Sequence, residues 1–292
     1  MRAVFEISDS RKRWVISRTP PMSPALAIAE IAWILRGDNR LSFLTPWNRS
    51  HAKFVGEFPL VHGAYGSRLR NTFGVDQIVS AAAALRATPA SRQVVLQIYY
   101  PEFDLPGTEG TPRSPDIPCN VSSLLKIRNG RLEWTQILRS NDLFLGVPYN
   151  FVQFTTLQEV IAGLIGVDVG TYAHFSDSLH VYQKDARMGA LSTVPPDLEA
   201  KDDLRIPAEF FELVTSTFHG SIETVGRCTC GAAIAAAIDV ELPQSWKNLL
   251  LVCASERARR IGDMDASNVH LSACTNSAVR SLQLAYATAR NH

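Results

Sequence analysis

The chain has 292 residues, 46% hydrophobic and 20% charged, a profile that suits a folded core in one large domain or two smaller ones. Its 29 basic and 28 acidic side chains leave a formal net charge of +1. No global field therefore draws it to nucleic acid or a membrane surface, and an anionic ligand must be held by local arginines.

No apolar run is long enough to cross a bilayer, and the opening MRAVFEISDSRKRW lacks the apolar stretch of a signal peptide. Five scattered cysteines do not read as a disulfide framework, so a reducing cytoplasm is the expected compartment.

In chain order, the turn-rich Ser17–Pro24 leads into ALAIAEIAWILRG, whose spacing predicts a helix over Pro24–Arg36 with Gly37 as its stop. Glu30 lies among the apolar residues of that helix. A carboxylate there is either tolerated at the edge of the buried face or kept for work, because an unpaired buried charge is costly. Asp76–Ala87 reads as a second helix, Gln93–Tyr99 as a buried strand, and Pro101–Pro118 as a loop. Val121–Ile127 and Leu132–Leu138 read as strands joined by an Asn129-Gly130 hairpin turn. Phe151–Ile165 reads as a long helix stopped at Gly166, and Tyr172–Tyr182 as a strand. Pro195–Asp203 has the composition of a linker. Beyond it the chain reads as mainly helical, including GAAIAAAIDV and Ser267–Thr288. The expected fold is α/β (α+β), with a body over 1–190 and a divergent, mainly helical C-terminal part over 191–292.

Three segments carry chemistry, and two more invite it without support. Cys119 sits where the long loop enters a strand; taken alone, a free cysteine is more often a small core hydrophobe than a nucleophile. The block RSNDLFLGVPYN contains Arg139 and Ser140, which can hold a phosphate, and Asp142 and Asn150, which can bond a ring. The plain alternative is a polar turn with Asn150 as a helix cap. His180 and Tyr182 fall on one face of a strand, where the ordinary reading is a pair satisfied by neighbours. Cys228-Thr229-Cys230, with Cys253 and Cys274, has poor metal-ligand spacing, so no metal is expected and core cysteines are the better account. The basic run Arg257–Arg260 reads as a solvated helix face.

Taken together, the segments resemble the thymidylate synthase and pyrimidine nucleotide hydroxymethylase family. The likeness rests on Glu30 in its helix, Tyr65 after Gly63, Ser91-Arg92, Pro118-Cys119, the Arg139–Asn150 block and His180-Val181-Tyr182. It implies a three-layer α/β body that dimerises through its sheet. It also implies one-carbon transfer from 5,10-methylenetetrahydrofolate to C5 of a pyrimidine nucleotide monophosphate. By resemblance Cys119 is the thiolate that adds to C6 and makes C5 nucleophilic. Arg139, Ser140 and, more weakly matched, Arg11 resemble phosphate ligands within the chain, and Arg92 the arginine lent by the partner. Asn150 resembles the base reader and favours uracil, since an amide can donate to O4 and accept from N3–H. Cytosine-specific relatives carry aspartate there. His180 and Tyr182 resemble the sugar 3′-hydroxyl pair, Tyr65 the group that helps remove the C5 proton, Glu30 the organiser of proton transfer, and Asp142 the pterin contact.

Several residues depart from the pattern. Asn120 follows the nucleophile where histidine is common, Gln93 replaces a second phosphate arginine, and TPWNRSHAKFVGEFP replaces a tryptophan-containing segment. The tail from Lys201 to His292 replaces a short segment that closes over folate. A remodelled lid admits water, which would turn a methylated product into a 5-hydroxymethylated one. The expectation is therefore hydroxymethylation of dUMP or UMP, with methylation next. A catalytically silent nucleotide-binding homologue and a purely structural protein are the remaining alternatives.

Overall fold

A computed structural model describes residues 1–50, 52–56, 58–185 and 202–290. The expected boundary at 190/191 and most of the Pro195–Asp203 linker lie outside these residues. Five strands, β1 (Ala3–Ile7), β2 (Val94–Gln97), β3 (Asn120–Arg128), β4 (Arg131–Asp142) and β5 (Asp168–His180), form one sheet in the order β1-β5-β4-β3-β2. The β4–β5 pair is parallel and the other pairs are antiparallel. Asn129 (φ 51°) and Gly130 (φ 70°) both adopt left-handed backbone and close the β3–β4 hairpin, as an Asn-Gly pair does at low steric cost.

In the N-terminal half, helix α1 spans Pro24–Leu35, followed by one-turn helices α2 (Leu41–Leu44), α3 (Ala52–Val55) and α4 (Tyr65–Ser67), then α5 (Gln77–Ala87) and the short α6 (Pro101–Asp104). The Ser23 hydroxyl caps α1 by accepting from Leu26 N, and the Asp76 carboxylate caps α5. A loop was expected over all of 101–118. Pro101 in the first turn instead starts α6, where its missing N–H is no loss. The long helix α7 runs Val147–Ile165, four residues earlier than its apolar spacing suggests, with Pro148 in its first turn and Gly166 (φ 86°) as its left-handed stop. Asn150 thus lies inside the helix and is not its cap.

The C-terminal part is helical, comprising α8 (Phe211–Arg227), α9 (Gly231–Ala237), α10 (Gln244–Arg260), α11 (Met264–Ala273) and α12 (Ser277–Arg290). Helices α5 and α7 pack on one face of the sheet, and α1 lies against α7. Every residue of α1 is buried except Glu30, which is partly exposed. A helix apolar on all sides needs cover on all sides, and α8, α10 and α12 supply the outer cover. One hydrophobic core therefore runs from the sheet-side helices into the C-terminal layer.

The basic run Arg257–Arg260 differs from the expected solvated face. Arg257 donates to Cys228 O, Arg259 and Arg260 pair with buried Glu256, and Arg260 also donates to the carbonyls of Pro46 and Trp47. Trp47 is itself 2% exposed and packs by Gly226 of α8. The unusual segment around Trp47 is thus a dock for the C-terminal helices. Of the cysteines there, Cys228, Cys253 and Cys274 are buried, whereas Cys230 is exposed and is not a core residue. Among the described residues no helix is long and apolar enough to cross a membrane.

Candidate active site

Cys119 stands immediately before β3, half-buried, with its backbone fixed from β4: Arg139 N donates to Cys119 O at 3.0 Å. The Arg139 guanidinium donates to Pro118 O (3.0 Å) and Ile117 O (2.8 Å), bracing the loop that delivers the thiol. Burial pushes the Cys119 thiol up, the Arg139 charge pulls it down, and the Asp116 carboxylate pushes it up again. The net direction is upward. Arg139 thus favours the thiolate, but desolvation outweighs it, and the thiol is held protonated near neutrality.

Tyr65 sits on α4, which approaches α1 closely. A Cβ at Gly66 would lie 2.5 Å from Ile34 O, so only glycine lets the two backbones meet here. The partly buried Tyr65 hydrogen-bonds Asn120 through its phenol and lies within the fields of Cys119, Asp116 and Glu30. Burial raises its pKa far above the ordinary tyrosine range. On α1, the Glu30 carboxylate accepts from Gln153 Nε2 of α7 at 2.9 Å. Desolvation raises Glu30 to about 7, against the lowering effect of that bond. A carboxyl with that pKa can both give and take a proton at neutral pH.

Asn120 donates through Nδ2 to Asn150 Oδ1 (3.3 Å), and Asn150 Nδ2 donates to Asn141 Oδ1 (3.2 Å). Cys119, Tyr65, Glu30 and Asn150, from four separate segments, are therefore brought together. Asp142 accepts from the backbone N–H of Phe144 (2.8 Å) and Leu145 (2.6 Å) through Oδ1, while its buried Oδ2 has no partner. An orphaned carboxylate oxygen fits a ring N–H such as the pterin's. His180 ends β5 level with Asp142, and its carbonyl accepts from Leu143 N. Tyr182 lies just beyond the strand, not on its face as expected, with its ring edge-on to His180 at 5.2 Å. Ser140 pairs with Ser178 on the same β4–β5 ladder.

Two expected residues are not brought to this cluster. Arg11 pairs with Glu159 (3.1 Å) and Asp203 (3.2 Å) and lines a cavity of about 310 Å³ with Arg131 and Asp168, at the opposite end of β4 and β5. Its charge is engaged by the buried Glu159. Arg92 is exposed and precedes β2, whose Val94 pairs with Leu125. That register puts it near the far end of β3, roughly 25 Å from its own Cys119 at about 3.3 Å per residue.

Several site residues carried no sequence signal. Gln153 holds Glu30, and Asp116 accepts from Gly63 N at 2.7 Å beside the nucleophile. Tyr149 accepts from Ser23 N through its hydroxyl and lies in the fields of Glu30 and Arg18. Arg18 Nε and Nη1 are buried with no partner among the described residues, two charged donors suited to an anionic ligand. No group of three metal-ligating side chains occurs among the described residues.

The model of the thymidylate synthase family matches residues 5–204. Deoxyuridylate hydroxymethyltransferase of Bacillus phage SP01 is 34% identical over 193 residues, covering 62% of this chain and 49% of that protein. The protein of the same name from Pseudomonas phage M6 is 33% identical over 164 residues, covering 56% and 45%. Thymidylate synthase 1/2 of Encephalitozoon cuniculi is 40% identical over 109 residues, covering 37% and 35%. The chain thus spans about half the length of the two phage relatives. The crystal structure of thymidylate synthase from T4 phage shares the fold, with a TM-score of 0.55 at 21% identity over 74% of this chain and 79% of that one.

Proposed function

The chain belongs to the thymidylate synthase family, and on that premise we propose that it transfers a one-carbon unit to C5 of a uracil nucleotide, dUMP before UMP, giving the 5-hydroxymethyl product. The observation that carries this reading is the convergence of Cys119, Tyr65, Glu30 and Asn150 around one point. In this reading Cys119 adds to C6 of the pyrimidine, and the electron pair displaced onto the ring makes C5 the nucleophile. Binding an anionic substrate beside Arg139 fixes the ring against the sulfur; the thiol proton passes to solvent as the C–S bond forms, and loss of the C5 proton later expels the sulfur from C6, freeing product and Cys119.

Glu30, poised near neutrality, handles protons on the pyrimidine side, and the buried Tyr65 hydroxyl stands beside the sulfur to assist removal of the C5 proton. Asn150 offers one acceptor and one donor to the base edge. His180 and Tyr182 are assigned to the sugar hydroxyl, and Arg139 and Ser140 to the phosphate. Arg18 is a better anion ligand in this reading than Arg11, whose charge is already paired. 5,10-Methylenetetrahydrofolate would supply the carbon, and the unpaired Asp142 Oδ2 would accept from its pterin.

The assembly proposed is a homodimer formed through the open sheet face. On that face Val4, Val95 and Leu124 are 69%, 50% and 41% exposed, in rows with half-buried Ile137 and Phe175. A sheet apolar on both faces needs a second cover, and Arg92, out of reach of its own Cys119, would serve the partner's site.

Hydroxymethylation is placed before methylation because the two phage relatives that match over more than half of this chain bear that name. The likeness to the Encephalitozoon protein keeps methylation as the second reading. The deciding experiment incubates the protein with methylenetetrahydrofolate and dUMP, UMP, dCMP or CMP and reads products by mass. A hydroxymethyl group gained on a uracil nucleotide is expected. Methylated nucleotide with dihydrofolate favours the second reading, and neither product nor C5 tritium exchange overturns both.

A further inference from the structure

Beneath the base-reading position runs a buried chain of hydrogen bonds with one direction. Gln136 Oε1 accepts from both Trp134 Nε1 (3.0 Å) and Ser123 Oγ (2.6 Å). Gln136 Nε2 then donates to Asn120 Oδ1 at 3.0 Å, and Asn120 Nδ2 donates to Asn150 Oδ1 at 3.3 Å. Asn150 Nδ2 donates to Asn141 Oδ1, and Asn141 Nδ2 meets His174 Nε2 at 2.9 Å. The far side of that imidazole meets the Tyr172 hydroxyl at 2.9 Å. Gln136, Asn120 and His174 are completely buried, and no water competes for these bonds.

The two ends of the chain differ. Tyr172 and His174 can reverse: a hydroxyl donates or accepts, and a neutral imidazole exchanges tautomers. Burial keeps His174 neutral, lowering it to about 4. Ser123 can likewise turn its proton. Trp134 cannot reverse, since an indole N–H only donates. It obliges Gln136 to present its oxygen, so Asn120 must present its oxygen to Gln136 and its amide nitrogen to Asn150. The Asn150 carbonyl is thereby held toward Asn120 and its amino group toward Asn141.

We propose that Trp134, acting through Gln136 and Asn120, is the positioning residue that fixes the Asn150 amide for uracil and against cytosine. This rests on the uracil-nucleotide reading above. Asn150 uses one lone pair toward Asn120 and one N–H toward Asn141, so it keeps one acceptor and one donor, in a set order, for the base. Uracil offers a donor at N3 and an acceptor at O4. Cytosine offers an acceptor at N3 and a donor at N4, and matches only a flipped Asn150. A flip of Asn150 flips Asn120 and Gln136 in turn and brings the Gln136 amino group against the Trp134 N–H. Two donors then face each other in a dry site, which is the barrier to cytosine. The asparagine after the nucleophile, in place of histidine, is what relays this direction.

The test is calorimetric binding of dUMP and dCMP to the whole protein and to three variants. Trp134→Phe removes the N–H, and the dUMP-to-dCMP affinity ratio should fall about tenfold, the worth of one buried hydrogen bond, with dCMP binding more tightly than to the wild type. Gln136→Met cuts the chain and should narrow the ratio similarly, which covers the case in which Trp134→Phe does not fold. Ser123→Ala should keep the wild-type ratio, because the indole still sets the direction. A purely structural role weakens both nucleotides together and leaves the ratio unchanged; that outcome in Trp134→Phe and Gln136→Met overturns this inference alone. A wild type that binds neither nucleotide overturns the uracil reading and this inference with it.

Discussion

At the level of single residues, Glu30 is where folding and chemistry pull against each other. Its carboxyl is raised from 4.5 to about 7, chiefly by burial. Below pH 4.5 both the folded and unfolded forms hold the proton, and Glu30 does not affect stability. Between 4.5 and 7 the unfolded chain releases it first, so the native state loses stability with rising pH, and the loss is complete above 7. Glu30→Gln should therefore nearly match the wild type at pH 4.5 and be more stable at pH 8 by about 3 kcal/mol, read as denaturation midpoints. The same variant should lower C5 tritium release by about a hundredfold or more. Equal midpoints at pH 8 would mean that the carboxyl is not held neutral. The arginines divide in the same spirit. Arg18→Ala should raise the KM for nucleotide or folate by about tenfold or more with little change in melting temperature, since its donors serve no internal partner. Arg11→Ala should lower stability by about 1 kcal/mol and leave KM unchanged, since it shares Glu159 with Arg13. The reverse pattern would restore Arg11 as the anion ligand. Glu30 was legible in the sequence because a carboxylate inside an apolar helical run stands out. Arg18, Gln136 and His174 were not, because an orphaned guanidinium or a one-way amide chain exists only after distant strands pair.

At the level of elements, the proposed catalytic side chains are delivered in two ways: the loop braced by Arg139 presents Cys119, and the close meeting of α4 with α1 at Gly66 presents Tyr65. An alanine Cβ there would lie 2.5 Å from Ile34 O and 2.6 Å from Ile34 Cα, both main-chain atoms that cannot step aside. Gly66→Ala should cost about 2 kcal/mol by overpacking and displace Tyr65, so tritium release should fall further than nucleotide affinity. Gly220→Ala in α8 is the contrast: nothing lies within 4 Å of its Cβ, and helix propensity predicts a gain of up to about 1 kcal/mol. Equal effects at the two positions would refute the close-approach argument. Apolar spacing and caps made α1, α5 and the turn of the β3–β4 hairpin readable almost to the residue, because those signals are local, whereas β4 runs on to Asp142, four residues past the expected Leu138. The start of α7 was misread because Gly146-Val147-Pro148 has turn composition, while proline in a first helical turn is equally at home. The outward reading of Arg257–Arg260 failed for the opposite reason: their partners Glu256, Pro46 and Trp47 include residues some two hundred positions away.

At the level of the whole molecule, the sheet has one face buried under α5 and α7 and one that the described residues leave uncovered, and Arg92 lies beyond reach of its own nucleophile. The C-terminal helices do not cover that open face. They are spent on α1, whose all-round apolar sequence announces that a further layer must exist without saying which segment provides it. A two-fold pairing through the open face places the same residues of both copies in contact and gives each site an arginine from the other chain. This is tested by mixing. Cys119→Ser alone should release no tritium, and Arg92→Ala alone should bind nucleotide weakly. Unfolded and refolded together in equal amounts, half of the dimers are mixed. In each mixed dimer one site combines the Arg92→Ala chain's intact Cys119 with the arginine of the Cys119→Ser chain, and the other site carries both defects. Activity should then recover to about a quarter of wild type, as the statistics of two-fold pairing require. No recovery, with dimers present by light scattering, would place Arg92 outside the site of either chain. Introducing aspartate at Val95 and Leu124 supplies the complementary arm. Charge on the open face should yield monomers that keep their melting transition yet lose tritium release, because a folded half-site without its borrowed arginine lacks the grip on phosphate that orients the base over Cys119.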